Sequence, residues 1–539
     1  MLSGCTPWPG DTARTYRRAG VWRGETLGAM LRRLAAEFGR RTALVHGPRR
    51  ITYAELDRWA DRLAAGFAGH GIEPGQRVVV QLPNVPEFAA ITFALSRLGA
   101  IPVFSLPAHR ATEIRHLGEI TEASAYVLPG VHRGFDHVEQ ARELRDELPA
   151  LEKLFVLSGN VPADCIPLAE LESTPIGLRE QDPADVAFFL LSGGTTALPK
   201  LIPRTHDDYL YQSRQAAEVG RLTGDDVYLA ALPIEFNFAW GCPGVLGTFH
   251  TGGTVVLADN PDPEGCFELI EREKVTFTAQ VPSITRIWLE LAEWTERDLS
   301  SLRLLQVGGA RMTREFTERI GPTLGCQLQQ VFGMAEGLLT FTRSDDPAES
   351  VLTTQGRPIS PYDEMRVVGP AGEPCAEGEV GELLARGPYT LRGYYRAPEH
   401  NAKAFTPDGF YRTGDRARIT EDGDLVIEGR IKEMIIRGGD KISATEVEDY
   451  LLAHPAVAAA AVVGIPDEFL SERVCAYVVA AGAPGDPSVS ADELRSAVRD
   501  LGVAEYKIPE RIEFAAGFPL TPLGKVDKKA LIAMAMEGT

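Results

Sequence analysis

Residues 52–82 read TYAELDRWADRLAAGFAGHGIEPGQRVVVQL, and this stretch decides the fold class. Thr52 and Glu55 have the spacing of a capping box, in which a hydroxyl and a carboxylate each satisfy a backbone N–H left open at a helix start. Behind them Leu56, Trp59, Leu63 and Phe67 recur every three or four residues, which gathers them on one helical face. Gly71 and the Pro74-Gly75 turn end that unit. Arg77 to Leu82 then reads as a buried strand, and a further helix is expected over residues 87–97. From residue 41 to 107, apolar runs alternate with amphipathic helices, the rhythm of an α/β fold with parallel strands.

The same alternation returns later, with candidate strands at 227–232, 253–257, 275–281 and 302–307. From residue 379 onward, short strands separated by Gly and Asp turns such as Asp422-Gly423-Asp424 predict a β-rich subdomain. After Lys432 a smaller α+β unit is expected, with helices at 444–452 and 491–500 and strands at 457–463 and 474–479. The Gly- and Pro-containing stretch 481–488 reads as a surface loop. The expected fold class is therefore α/β: a large N-terminal domain of two α/β subdomains plus a β-rich subdomain, followed by a small α+β C-terminal domain.

Composition narrows the partners. A chain of 539 residues exceeds one compact core, and 44% hydrophobic with 24% charged residues is ordinary for a globular protein. A formal net charge of -20 repels phosphate backbones and anionic lipid, which argues against nucleic acid or a membrane surface as partner. Seven scattered cysteines without a C-x-x-C pair suggest neither a disulfide framework nor a zinc site, and predict a reducing, cytoplasmic compartment. The apolar stretch 456–465 falls far short of a membrane helix, which needs roughly 18 residues.

Chemistry-bearing residues appear at four places. The apolar run from Val186 leads into Leu191-Ser192-Gly193-Gly194-Thr195-Thr196-Ala197-Leu198-Pro199-Lys200. Glycines let backbone N–H groups approach anionic oxygens, the threonines add donors and Lys200 adds charge, so this loop suits a phosphate. Its spacing is not that of a P-loop, and an ordinary loop of small residues has the same composition. In Val331-Phe332-Gly333-Met334-Ala335-Glu336 the Phe332 ring can stack on a base and Glu336 can hold Mg²⁺ against phosphates, or the segment is a strand end with a solvated carboxylate. Asp415, after Thr413-Gly414, suits two ribose hydroxyls or is a plain turn residue. Lys525, in Thr521-Pro522-Leu523-Gly524-Lys525-Val526, offers a point charge to a phosphate or is merely solvated. Their co-occurrence in this order gives these weak signals weight.

On these motifs the chain resembles, over nearly its whole length, the adenylate-forming enzymes: acyl-CoA synthetases, nonribosomal peptide adenylation domains and luciferases. The resemblance implies that Ser192, Gly193, Gly194, Thr195, Thr196 and Lys200 form the phosphate loop for ATP. It likewise assigns Gly308, Gly309, Ala310, Val331, Phe332, Gly333, Asp415 and Arg430 to the nucleotide, and Glu336 to Mg²⁺. Gly429-Arg430-Ile431-Lys432-Glu433 resembles the hinge, so that 1–431 is an adenylation domain binding ATP and aryl acid, and 432–539 a mobile C-terminal domain. Lys525, Glu336 and Lys432 are then the catalytic set, with Lys432 at the pivot.

Within that superfamily, Thr6-Pro7-Trp8-Pro9 and the strings 201–209, 306–311 and 329–337 resemble the stand-alone aryl-acid AMP ligases of siderophore and related nonribosomal peptide biosynthesis. The implied chemistry is attack of a carboxylate on the α-phosphorus of ATP, release of pyrophosphate, and passage of the aryl group to a thiol. That thiol is expected in trans, on the phosphopantetheine of an aryl carrier protein or on coenzyme A. Gly438-Gly439-Asp440-Lys441 is superficially like a phosphopantetheine attachment site, but Lys441 stands in place of the required Ser.

Phe236, Asn237, Phe238, Cys242, Gly309, Val331 and Leu339 are the implied aryl pocket. Asn237 stands where amino-acid-activating relatives carry Asp; a neutral amide does not neutralise an ammonium group but does hydrogen-bond a phenolic hydroxyl. Dihydroxybenzoate enzymes usually have Ser and Val at the places of Cys242 and Leu339, whereas salicylate enzymes tend to Cys and Leu. The expected substrate is salicylate or a methyl-substituted salicylate, with a 2,3-dihydroxybenzoate-AMP ligase or an aryl-CoA ligase as the alternative. A non-catalytic nucleotide-binding protein is disfavoured by the joint presence of Lys525, Glu336 and Asp415. Two positions depart from the family pattern: Ala197 replaces a Gly, adding strain of about 1 kcal/mol if φ there is positive, and Phe236 replaces a His.

Overall fold

The computed structural model describes residues 1–159, 161–192, 198–310, 312, 314–430, 434–481, 489–519 and 526–537. The capping box forms as read: Thr52 N donates to Glu55 Oε2 at 2.8 Å and Glu55 N to Thr52 Oγ1 at 3.2 Å, opening helix Tyr53–Gly69. Leu56, Leu63 and Phe67 are buried on its inner face and Trp59 is half-buried at the edge. Strand Arg77–Val80 follows.

The next helix, Pro86–Leu98, departs from the amphipathic expectation, since every residue in it except Glu87 is buried. It packs against strand Thr42–His46 on one side and strand Ile101–Phe104 on the other, and these belong to different sheets. A helix enclosed in this way has no polar face to offer water. Arg97 stays inside because it donates to Asp61 Oδ1 at 2.7 Å and also to the Asp57 carboxylate.

A seven-stranded sheet runs in the order Leu201–Thr205, Val186–Leu191, Ile101–Phe104, Arg77–Val80, Ala125–Leu128, Lys153–Val156, Ile166–Pro167. All its pairs are parallel except the first. A nine-stranded sheet has a parallel centre of Gln327–Gly333, Leu304–Gly308, Phe277–Gln280, Val227–Ala230, Thr254–Leu257 and Thr42–His46. Strand Thr42–His46, which opens the first series in sequence, thus joins the sheet of the second series by pairing Leu44 with Val255. The two α/β layers are interlocked rather than laid end to end.

Strands Glu364–Val368, Gly381–Arg386, Tyr411–Ile419 and Leu425–Arg430 make the expected β-rich part as an antiparallel sheet. Beyond it, Met434–Arg437, Asp440–Ser443, Val457–Asp467, Ser471–Ala480 and Arg511–Phe514 form one sheet with helices Ala444–Leu452 and Ala491–Asp500. The central hairpin is longer than its apolar cores suggested, pairing without a break from Ala459 with Val479 to Asp467 with Ser471. Of the predicted loop 481–488, only Ala481 is among the described residues.

Candidate active site

The carboxyl ends of parallel strands in both sheets converge on one cleft of about 430 Å³. Asn84 follows strand Arg77–Val80, His109 follows Ile101–Phe104, Ser192 follows Val186–Leu191 and Glu235 follows Val227–Ala230. Gly309 and Glu336 stand just past Leu304–Gly308 and Gln327–Gly333. Strand ends of open α/β sheets leave such crevices because the chain departs there in divergent directions.

The phosphate-loop candidate is the tip of a hairpin between the antiparallel strands Val186–Leu191 and Leu201–Thr205. Its two ends are tied together: Ser192 N donates to Lys200 O at 2.9 Å, and Lys200 N donates to Ser192 Oγ at 3.1 Å. Ser192 is buried and lines the cleft. Gly193, Gly194, Thr195, Thr196 and Ala197 lie outside the described residues, as do Lys432 and Lys525. Lys200 Nζ stands 5.9 Å from the centre of the Tyr394 ring, and the Tyr394 hydroxyl donates to Glu336 Oε1 at 2.8 Å. The lysine and the carboxylate therefore meet across one tyrosine.

The Glu336 segment is held by backbone contacts. Leu391 N donates to Glu336 O at 2.7 Å, Arg204 Nη1 to Ala335 O at 2.9 Å and Asn237 Nδ2 to Met334 O at 3.1 Å. Gly337, at φ +112°, has to be glycine because a Cβ there would lie 2.5 Å from Thr390 Cα. Strand alternation puts Val331 and Gly333 on the cleft, whereas the half-buried Phe332 packs against the main core and does not line it. Asp415 is buried on strand Tyr411–Ile419, opposite Arg430 in the register, and neither Asp415, Ala310 nor Lys200 is among the cleft-lining residues.

The residues expected to form the aryl pocket are brought together. Cys242, Val331 and Leu339 belong to one buried cluster against which Phe238 packs, and Gly308 stands so close that a Cβ would come within 3.3 Å of the Phe238 ring. Phe236 and Asn237 also line the cleft, at the start of the short helix Asn237–Gly241. Burial pushes the Cys242 thiol far above its ordinary range, so it stays a neutral, weak donor.

Several lining residues carry no local sequence signature. Glu235 is 4% exposed, and neither of its carboxylate oxygens has a hydrogen-bond partner among the described residues. Burial pushes its carboxyl up to about 8. A glutamate inside an otherwise apolar segment is the only hint the sequence held. His109, held by Ser105 Oγ at 2.9 Å, is lowered to about 4 chiefly by burial. From the C-terminal side the cleft is closed by Gly438, Gly439, Asp440 and Lys441, and a Cβ on Gly439 would come within 3.1 Å of Val281.

That closure rests on contacts across the two parts of the chain. Thr112 N donates to Gly502 O at 3.1 Å and Arg286 Nη1 to Glu468 O at 2.8 Å. The buried Lys507 Nζ donates to Glu113 Oε1 at 2.8 Å and to Glu446 Oε1 at 2.7 Å. Burial works to raise the Glu113 carboxyl, but the charge of Lys507 and the bonds it receives outweigh that and hold it below its ordinary value.

A two-layer α/β body with a cleft at its strand ends, capped by a small α+β unit, puts its crevice where open α/β sheets bind their ligands. Residues 31–395 match the AMP-binding enzyme family and residues 446–525 match the AMP-binding enzyme C-terminal domain. The chain belongs to this adenylate-forming family and, within it, to the aryl-acid AMP ligases. It is 52% identical over 531 residues to a 2,3-dihydroxybenzoate-AMP ligase of Bacillus subtilis (strain 168), covering 98% of this chain and 97% of that one. It is 46% identical over 539 residues to a salicyl-AMP ligase / salicyl-S-ArCP synthetase of Mycobacterium tuberculosis, covering 98% and 94%. Among solved structures it resembles apo MbtA of Mycobacterium smegmatis, with a TM-score of 0.77 and 46% identity over 98% of this chain and 99% of that one. AMP-binding enzymes use ATP, and no helix among the described residues is long and apolar enough to cross a membrane.

Proposed function

We propose that this enzyme adenylates salicylate or a methyl-substituted salicylate at the expense of ATP, and then passes the aryl group to the phosphopantetheine thiol of a carrier protein in siderophore or nonribosomal peptide assembly. The single observation that carries the substrate reading is the buried set Cys242, Val331 and Leu339 with the half-buried Phe238 packed on it and the Asn237 amide beside it. Relatives named for salicylate and for 2,3-dihydroxybenzoate are both close in sequence, so the choice of ring rests on this pocket. A 3-hydroxyl directed at Cys242 and Leu339 would exchange water for a weak thiol and a methyl group, an uncompensated loss of roughly 1–3 kcal/mol.

In the first step the acid's carboxylate attacks the α-phosphorus, the bond to the β-phosphate oxygen breaks, and pyrophosphate leaves. Such transfers need positioning and charge neutralisation more than covalent help from the protein. The loop 192–200 holds the leaving phosphates, Asp415 and Arg430 the ribose side, Gly308 to Ala310 with Val331 and Gly333 the base, and Lys525 the developing charge. Mg²⁺ fits what the residues offer: Glu336 keeps acceptor capacity beyond its bond from Tyr394, and Mg²⁺ is usually held by one or two carboxylates plus substrate phosphates and water. When bound, the ion neutralises phosphate charge.

The chain divides functionally into 1–431 and 432–539, the second part turning about Lys432 so that Lys525 serves the first step and the Gly438-Gly439 face serves the second. Supporting this is the glycine pair seated in the cleft, where a Cβ on Gly439 would come within 3.1 Å of Val281. Seven unpaired cysteines suit a reducing cytoplasm. Pyrophosphate exchange with salicylate, methylsalicylates, 2,3-dihydroxybenzoate and no acid is the test. Salicylates should give the highest kcat/KM, and a preference for 2,3-dihydroxybenzoate refutes the ring assignment. A Lys525→Ala variant should lose adenylation by at least a hundredfold, and a normal rate would remove Lys525 from the mechanism.

A further inference from the structure

Asn237 does not face the cleft as a freely rotating amide. Its Oδ1 accepts from the Tyr209 hydroxyl at 2.8 Å and from Gln212 Nε2 at 3.0 Å, and its Nδ2 donates to Met334 O at 3.1 Å. An amide oxygen has two lone pairs and an amide nitrogen two hydrogens, so the oxygen is fully used and one N–H is left over.

Which end of this amide faces which neighbour is set two residues away. Arg204 is a donor only and is completely buried, held by Asp208 Oδ1 at 2.9 Å and by Tyr389 O at 3.1 Å. It donates through Nη2 to Gln212 Oε1 at 2.9 Å. The opposite end of Gln212, buried as well, lies 3.2 Å from Gly241 O, which only accepts. A donor at one end and an acceptor at the other leave Gln212 one orientation. Its Nε2 then meets Asn237, which obliges Asn237 to present Oδ1 to it, and the Met334 carbonyl demands Nδ2 on the far side.

We propose that Arg204 and Gln212 are positioning residues that fix the polarity of the Asn237 amide, so that it offers the bound acid an N–H and no acceptor. The proposal rests on the reading that Asn237 faces the aryl acid. Its consequence concerns the substituent next to the carboxylate. An ortho oxygen, as in salicylate, accepts the N–H. An ortho amine, as in anthranilate, directs its hydrogens at an amide that presents no acceptor to them, and unsubstituted benzoate leaves the N–H unpaired. Rejection therefore follows from an unmet hydrogen bond rather than from size.

The experiment is pyrophosphate exchange by the full-length enzyme with salicylate, benzoate and anthranilate, in wild type, Gln212→Met, Gln212→Glu and Asn237→Leu. Wild type should prefer salicylate over each of the others by at least tenfold in kcat/KM. Gln212→Met removes one of the bonds that orient the amide while the Met334 carbonyl stays in place, and should bring both ratios down about tenfold through KM for salicylate, with KM for ATP moving less than twofold. Gln212→Glu keeps the volume and the Arg204 contact while placing an acceptor opposite Asn237. It should favour the reversed amide, with the Met334 carbonyl opposing the turn, and raise anthranilate relative to salicylate, an effect that a general loosening of the pocket does not produce.

Ratios unchanged in both Gln212 variants, with Asn237→Leu abolishing them, overturn the positioning role and leave the Asn237 reading intact. Ratios unchanged in Asn237→Leu, or no activation of salicylate by wild type, overturn that reading and the proposal with it. If Gln212→Met does not fold, Gln212→Glu decides alone: a rise of anthranilate over salicylate supports the proposal and an unchanged ratio overturns it.

Discussion

Replacing Lys507 by Met tests the joint between the two parts of the chain. The ammonium group is almost wholly enclosed, with 4% of its side chain exposed, against 0% for Glu113 and 6% for Glu446. Glu113 belongs to helix Ala111–Thr121 of the large body, while Glu446 opens helix Ala444–Leu452 of the small unit. Met keeps the volume and removes the cation bonded to both, leaving two buried carboxylates in each other's field. Breaking a buried pair in this way costs about 3–5 kcal/mol, because desolvation is no longer offset.

That cost should appear in the small unit rather than in the whole molecule. Hydrogen exchange reports it directly, and at about 1.4 kcal/mol per factor of ten the protection of helix Ala444–Leu452 should fall at least a hundredfold. The loss should be greatest at pH 8 and shrink as pH falls, because a buried carboxylate deprived of the lysine is relieved of its charge by taking up a proton. Exchange within threefold of wild type at pH 8 would refute the argument that this triad holds the joint.

Three further outcomes follow from buried groups. Glu235, raised to about 8 by burial, favours the folded state below its ordinary 4.5, and this advantage is lost progressively as pH rises through 8. Glu235→Gln should therefore gain in Tm relative to wild type between pH 5 and 8.5, and a constant difference would sink the idea. His206 is lowered to about 4 by burial while accepting from Leu27 N at 3.2 Å, so its contribution is complete above 6.5 and lost as pH falls through 4. Urea midpoints should drop less steeply with acid in His206→Gln than in wild type, and parallel profiles would contradict this. Cys242→Ser places a strong hydrogen-bonding group in the aryl pocket, and should raise kcat/KM for 2,3-dihydroxybenzoate relative to salicylate by about tenfold or more; an unchanged ratio would mean that Cys242 does not face the ring's 3-position.

Local patterns were legible wherever neighbours in sequence decide the outcome. The Thr52–Glu55 box, the inward face of Tyr53–Gly69 and the helices Ala444–Leu452 and Ala491–Asp500 all stand where periodicity and capping put them. Element ends were less so, since strand pairing extends Val457–Asp467 past its apolar core. The site was legible as motifs but not as a surface. Val331 and Gly333 reach the cleft while the intervening Phe332 turns to the core, a consequence of strand alternation that depends on which face the sheet presents.

The sequence by itself determined the succession of elements and the family, because both are written in short local patterns. Tertiary structure alone decided that Thr42–His46 joins the second sheet, that Pro86–Leu98 is enclosed between two sheets, and that Lys507 bridges Glu113 and Glu446. It alone decided, too, that Arg204 and Gln212 orient Asn237. The reason is physical: a hydrogen bond's polarity and a charge's partner are set by groups that meet in space, and those groups come from segments as far apart as residues 113 and 507.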